Sequence, residues 1–492
     1  MISNTKNSQR FYMDKSKMIT IVSCLAVIAL FWFLPPVAPM TATGNKVLGV
    51  FIGTVLMLSL VDTVWPVFLS VILLSRTGVA SINAIISNSF GNWVIYFILM
   101  SFMMTHALSE SGFINRVVAK FMSMKFVTKT PWIFTFSIGL LGMLLAAFMD
   151  QVPAAAFILA FCNTIYKEMG YTYDDMFPHI ANIVAIFGVN IGGAATPISH
   201  PLAMVGLGVY ESVAKESISL FSYLIFGVPT AIVIYSLMCL IIRLFAKPDF
   251  SRFKDFNIQN VIAEQKPMDL KEKTTVAIFF FTVIMWMFPG ILNMIIPKAA
   301  FVVALNTYGI TFWAILAVVL MSVISINGEP ILNAAKVANK NINWSILIFV
   351  SIGLYLGSAV SDPSTGVSDF ITTNVIPLTE GISPIMIAML FAFVACALTN
   401  FASNVTSITI ITGVAVTLAL GGSLLNPVAI ALVTTFAGSC AYTFPSGFAT
   451  VAMLHGNEYS NKAQIYKYGL AMIIVTTIIT TLVGYNIATI FS

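Results

Sequence analysis

Thr399-Asn400-Phe401-Ala402-Ser403-Asn404-Val405-Thr406-Ser407 is a run rich in small hydroxyl and amide side chains, set between two apolar stretches, Pro384 to Leu398 and Ile408 to Leu420. A solvated loop would carry charge here, and a spanning helix would carry leucine. Polar backbone at membrane depth is tolerated only where it is buried in protein or lines a wet cavity. The run therefore reads as a break between two membrane-embedded segments and as the first candidate binding site.

The composition agrees with a bilayer. Of 492 residues, 59% are hydrophobic and 9% charged, against about 25% charged in an average soluble protein. Apolar runs recur from end to end, as an all-α polytopic membrane protein requires. The short alternating segments of a membrane barrel are few. The net charge of +5 is spread over loops, with no dense basic tract interleaved with aromatics, so nucleic acid is not an expected partner. Cys24, Cys162, Cys239, Cys396 and Cys440 all fall in apolar segments with no metal-ligand spacing, which predicts ordinary buried thiols.

The N-terminus carries Lys6, Arg10, Lys15 and Lys17 ahead of an apolar run, Met18 to Leu34. This reads as an uncleaved first helix with a cytoplasmic N-terminus in a cell (plasma or inner) membrane. The charged stretch Arg243 to Lys273 is a second cytoplasmic element, with Lys and Arg in excess over Asp and Glu. The expected organisation is an N-terminal segment and first helix over 1–45, a first repeat over 46–245, a connector over 246–273 and a second repeat over 274–492. The sequence predicts about eleven spans plus two re-entrant hairpins, near 131–163 and 384–420, in two inverted repeats.

Three markers carry the repeat. Asn92-Trp93 and Asn343-Trp344 each precede an apolar run; Ser111-Gly112-Phe113 corresponds to Ser364-Thr365-Gly366; and Gly192 to Pro197 corresponds to Gly438 to Pro445. Interrupted apolar segments at matching places in two halves are the mark of a transporter built from repeats, with its site at the interruptions. By the same offset, the partner of Ser403-Asn404 is Asp150-Gln151, within Ala146-Ala-Phe-Met-Asp-Gln-Val-Pro153.

Hairpin tips present helix N-termini and free N–H groups, which attract anions. Ser, Thr and Asn add neutral donors, and their oxygens together with freed carbonyls can hold Na+. Ser403, Asn404 and Thr406 are thus candidate ligands; interhelical hydrogen bonding is the structural alternative. An ionisable group in a membrane segment is a functional candidate by default. Asp150 could hold Na+, could titrate and couple transport to H+, or could cap a helix start. Gln151 is a candidate substrate donor. His200 is a candidate titrating partner of Asp150.

Ala397 to Ser407 together with Gly438 to Gly447 resembles the second hairpin and following unwound helix of the divalent anion/sodium symporter family. The stretch from Asn343-Trp344 through Gly366 and the hydropathy of the whole chain resemble that family too. The resemblance implies a scaffold and a transport domain in each protomer, a homodimer and elevator-type movement. It implies that Ser403 and Asn404 contact substrate and that Thr399, Ala402, Asn404 and Gly447 coordinate a second-half sodium. Val405 stands where the family's threonine is usual, one place before Thr406.

The first half departs from the pattern. Asp150-Gln151-Val152 replaces Ser-Asn-Thr, and Ala146 stands at a usual serine. The Thr-Pro-Pro-Asn segments are His200-Pro201-Leu202-Ala203 and Phe448-Ala449-Thr450-Val451. A carboxylate at the first tip predicts a substrate less anionic than the family's, or one bound with an extra cation.

The reading is a cation-coupled secondary active transporter of a small anionic solute, of di/tricarboxylate-like or sulfate-like chemistry, and not an enzyme. A sodium-independent or proton-coupled exchanger or permease of the same superfamily is the alternative. An intramembrane enzyme using Asp150 and His200 as an acid/base pair is the rival from another class; the Gly-x-Gly-Asp context of intramembrane aspartyl proteases is missing. No G-x-x-x-x-G-K-[ST] loop is present to support ATP-driven transport.

Overall fold

A computed structural model of the chain describes residues 15–198, 201–253, 266–296, 298–379 and 381–490. Lys6, Arg10 and His200, and the connector charges Lys254, Asp255 and Glu264, lie outside the described residues. The fold is an all-α polytopic membrane protein. Among the described residues the only sheet is a two-stranded ribbon, Ser325–Ile326 against Glu329–Pro330. Its turn is Asn327-Gly328, both at positive φ, the pair that a tight hairpin turn favours.

After α1 (Lys15–Phe33) the first half runs α2 (Ala42–Leu60), α3 (Trp65–Thr77), α4 (Ile82–Phe90), α5 (Trp93–Glu110), α6 (Phe113–Met122), α7 (Pro131–Phe148), α8 (Gln151–Glu168), α9 (Met176–Ala195), α10 (Pro201–Ala214) and α11 (Leu220–Phe245). The second half repeats the sequence of elements: α12 (Leu270–Ile295), α13 (Ala300–Val323), α14 (Ala334–Lys340), α15 (Trp344–Val360), α16 (Val367–Phe370), α17 (Pro384–Phe401), α18 (Asn404–Leu420), α19 (Pro427–Ser439), α20 (Ala449–Gly456) and α21 (Lys462–Ile490, with a π-turn at Thr480–Tyr485).

The correspondence extends to the caps. Asn92 and Asn343 are the N-caps of α5 and α15, each accepting from a first-turn N–H. Thr130 and Ser383 cap α7 and α17, which both begin on proline and both run 18 residues. Pro at the first helical position costs no hydrogen bond, because that N–H has no intrahelical partner.

By length and hydropathy, ten described helices could cross a membrane, or up to 11 if the bent pair α14–α15 is one span. That set includes α7 and α17, yet each of these turns back at a two-residue break into α8 or α18 and forms a hairpin. Element by element the two halves correspond, α4–α5 with α14–α15 and α9–α10 with α19–α20.

α9 stays helical through Gly192 and Gly193 to Ala195 and breaks at Thr196. α13 starts at Ala300 and kinks at Gly309, whose φ is 67°.

The hairpins pack on the broken helices, α7 and α8 against α9, α17 and α18 against α19. Every residue of α9 from Phe177 to Ala195 is buried. Lipid tails are as apolar as leucine, so helices associate in a bilayer by close packing, which small residues permit. A Cβ added at Gly188 would lie 2.2 Å from Gly139 O, and one at Gly192 would lie 2.1 Å from Met143 O. At the charged edge, Arg116 of α6 grips Glu272 of α12 with two bonds, Nε to Oε1 at 2.7 Å and Nη2 to Oε2 at 2.8 Å. Such bidentate pairs fix geometry as well as adding energy.

Candidate functional site: two hairpin tips and two helix breaks

At the second tip, α17 ends at Phe401 and α18 restarts at Asn404. Ser403 is the N-cap of α18, but its side chain makes no capping bond. The first backbone bond of α18 runs from Ser407 N to Ser403 O at 2.9 Å. The N–H groups of Asn404, Val405 and Thr406 therefore have no acceptor among the described residues. A helix leaves such first-turn donors to side chains, water or ligand. Thr406 is 2% exposed and its Oγ1 is also without a partner among the described residues.

The other side of the same break is a helix carboxyl end. Thr399 Oγ1 lies 2.8 Å from Asn404 Oδ1 and 2.6 Å from Gly438 O. Asn404 Nδ2 donates to Ser439 O at 3.2 Å. Gly447 closes the group: a Cβ there would sit 2.7 Å from Thr399 O and 2.9 Å from Asn400 O. Neither carbonyl accepts a hydrogen bond outside the helix among the described residues. The last carbonyls of a helix carry partial negative charge. Thr399 and Asn404 thus meet at the break, Gly447 lies against the Thr399 and Asn400 carbonyls, and Ala402 is the C-cap of α17 within the break itself. No group of three His, Cys, Asp or Glu side chains suited to a metal occurs among the described residues.

The unwound stretch after α19 is held by an asparagine that the sequence reading passed over. Asn400 Oδ1 accepts from Tyr442 N at 2.7 Å and Thr443 N at 2.8 Å, while its Nδ2 donates to Cys396 O at 2.7 Å. Buried backbone groups must be paired, and here one side chain replaces the lost helical bonds. Asn190 does similar work between the halves. Its Nδ2 donates to Ala441 O at 2.6 Å, and its Oδ1 accepts from Thr450 Oγ1 at 2.7 Å. For Asn190 the available signal was an asparagine inside an otherwise apolar run; Asn400 carried none beyond its place in the polar run.

The first tip is built differently. Asp150 is the N-cap of α8, and its Oδ1 accepts from Val152 N at 2.9 Å. Gln151 is fully buried; its Nε2 donates to Asn190 O at 3.3 Å, and its Oε1 has no partner among the described residues. It fits only because residue 193 is glycine, where a Cβ would lie 1.7 Å from Gln151 Nε2. Thr196 Oγ1 donates to Ala147 O at 2.7 Å, on the last turn of α7.

Hydrogen bonds thus connect the two tips: Gln151 to Asn190, Asn190 to Ala441, and the neighbouring Tyr442 and Thr443 to Asn400 on α17. Asp150 caps its helix, as one of the sequence alternatives had it. Among the described residues its partner is a backbone amide; His200, its expected partner, is not described. A separate cavity of about 560 Å3 lies between α5, α10, α12 and α13, lined by Trp93, Glu211, Trp286 and Trp313 among others, and neither tip reaches it.

The chain as a whole is similar to known transporters. The sodium-dependent dicarboxylate transporter SdcS of Staphylococcus saprophyticus is 25% identical over 414 residues, covering 81% of this chain and 77% of that protein. SdcS of Staphylococcus aureus strain MRSA252 is 24% identical over 413 residues, covering 82% and 78%. An uncharacterized transporter of Haemophilus influenzae is 24% identical over 352 residues, covering 70% and 71%. Two solved structures share the fold at low identity. The YdaH transporter of Alcanivorax borkumensis has a TM-score of 0.59 at 11% identity over 96% of this chain and 98% of its own. MtrF of Neisseria gonorrhoeae has a TM-score of 0.56 at 13% identity over 96% and 94%. The citrate transporter family, CitMHS, matches residues 48–437. With that match spanning most of its length, the chain belongs to the citrate transporter family and is a divergent member of the ion transporter superfamily that also holds the dicarboxylate symporters.

Proposed function

We propose that this protein is a Na+-coupled secondary active transporter of a small anionic solute, with the dicarboxylates of its SdcS relatives as the reference class. The observation that carries this reading is the second tip. There the amino end of α18, with unpaired amides, and the carboxyl end of α17, with carbonyls facing Gly447, stand two residues apart. Anion and cation are then held side by side by opposite helix ends. Ser403, Asn404 and Thr406 contact the solute. Asp150 and Gln151 bound the site from the first tip. Thr399, Ala402, Asn404 and Gly447 hold the Na+.

Side-by-side binding also accounts for the coupling. Moving unpaired charge through hydrocarbon costs several kcal/mol, so the site crosses when the anion and cation offset each other. We take the moving body to be the hairpins with α9, α10, α19 and α20, sliding elevator-fashion against α5 and α15 in each protomer of a homodimer. Trp93 Nε1 of α5 donates to Glu211 Oε1 of α10 at 3.1 Å across that boundary. The basic segments at both ends of the first half support a cytoplasmic N-terminus. Uptake into proteoliposomes tests the reading: Asn404→Ala should abolish it, and normal uptake by that variant would place the site elsewhere.

Proton-coupled or sodium-independent exchange is the second reading. Asp150 uses Oδ1 in its cap, which leaves Oδ2 to take up and release a proton. Uptake by Asp150→Asn across pH and Na+ decides it: coupling unchanged toward both ions removes Asp150 from that role.

A further inference from the structure

The two hairpins superpose in sequence with a fixed shift. α7 and α17 begin at 131 and 384, and α8 and α18 begin at 151 and 404, a difference of 253 in both cases. The equivalent positions can therefore be compared group by group. On the amino side, the first turn of α18 offers three amides with no acceptor among the described residues, whereas in α8 the Val152 amide is taken by the Asp150 carboxylate at 2.9 Å. On the carboxyl side, Asn400 O of α17 faces Gly447, where a Cβ would come within 2.9 Å. The equivalent carbonyl of α7, Ala147 O, accepts the Thr196 hydroxyl at 2.7 Å. Thr399, whose side chain lies at the second tip, has Ala146 as its first-half equivalent.

We infer that the first hairpin is closed by its own side chains, with Asp150 in the place of a bound anionic group and Thr196 in the place of a bound cation. The inference rests on the second-tip reading above. A helix amino end already facing a carboxylate has little attraction left for another, and a second anion beside Asp150 is repelled. The transported solute therefore presents one anionic group, to the second tip, and travels with one metal cation. The end of the solute facing Asp150 is neutral, a hydrogen-bond donor or positively charged. Asp150 and Thr196 are thus specificity-determining and stoichiometry-determining residues, and they separate this chain from carriers that receive an anionic group at each tip.

Thermal unfolding of the purified full-length protein tests this with lactate, succinate and citrate, each in NaCl or KCl at equal ionic strength. For the wild type we expect stabilisation by lactate at least as large as by succinate at equal concentration. Its sodium dependence should have a Hill coefficient of about 1. Asp150→Ser, which restores the residue found at 403, should shift the preference toward succinate by about tenfold. Ala146→Thr with Thr196→Gly, which copies the second-tip residues, should raise the Hill coefficient toward about 2, while Thr196→Ser keeps the hydroxyl and should leave it unchanged.

A wild type that prefers succinate, or that binds two Na+ per protomer by radioactive sodium equilibrium binding, overturns the inference. A wild type that responds to no carboxylate and no Na+ instead contradicts the second-tip reading. The variants then still decide the inference: a response gained in Asp150→Ser or in the double variant supports closure, and none gained in either overturns it.

Discussion

The Thr450 hydroxyl donates to Asn190 Oδ1 at 2.7 Å, so the start of α20 in the second half is fastened to α9 in the first. The same asparagine donates to Ala441 O at 2.6 Å. Both partners are buried, and an unmatched buried polar group costs about 1–3 kcal/mol. Asn190→Ala should therefore destabilise the protein by roughly 3 kcal/mol. It should also lower uptake more than tenfold, because the two breaks lose their common support. Thermal unfolding and proteoliposome uptake check this; a variant with wild-type values in both would show that the link is incidental.

Asn400 carries a comparable load within the second half. Its side chain pairs the Tyr442 and Thr443 amides. Asn400→Leu keeps the volume and leaves both amides unmatched, a loss of roughly 2–4 kcal/mol. Faster hydrogen exchange confined to 440–448 is the expected signature. Unchanged protection there would mean that these amides do not depend on Asn400.

Gly193 sits against Gln151, with a Cβ position 1.7 Å from its Nε2. Gly193→Ala must displace the first tip, and uptake should fall at least tenfold. Shortening the opposing side chain should relieve the overlap, so Gly193→Ala with Gln151→Ala should recover stability beyond Gly193→Ala alone. Equal melting temperatures for the single and double variants would remove Gln151 as the cause.

Gly447→Ala would put a methyl group 2.7 Å from Thr399 O, in the space assigned to the cation. The sodium concentration for half-maximal uptake should rise at least tenfold. The solute affinity measured at saturating Na+ should change less. A variant with unaltered sodium dependence would move the cation away from Gly447.

Much of this protein was legible in the sequence because a bilayer leaves the chain few options. Helices must satisfy their own backbone, so the breaks at 402–403 and 149–150 stood out as polar residues between apolar runs. The shared Asn-Trp caps gave the repeat. What stayed hidden depended on pairing across space. Nothing local distinguishes Asn400 from Asn404, although one matches backbone amides and the other lies in the candidate cation site. Gly192 and Gly193, residues that in sequence suggest a break, lie inside α9, where their small size serves the contact with α7 and with Gln151. Thr196 could not be interpreted without its distance to Ala147.

The central claim is that an anion and Na+ bind together at the second tip. It is tested most directly by the linkage between them. The affinity of succinate or lactate for the purified protein would be measured by calorimetry in NaCl and in KCl, for the wild type and for Asn404→Ala. Two ligands that assist each other do so reciprocally. The account predicts at least tenfold tighter binding of the preferred carboxylate in NaCl by the wild type, and loss of that enhancement in Asn404→Ala. Carboxylate binding that is equal in the two salts and unaffected by Asn404→Ala would contradict it.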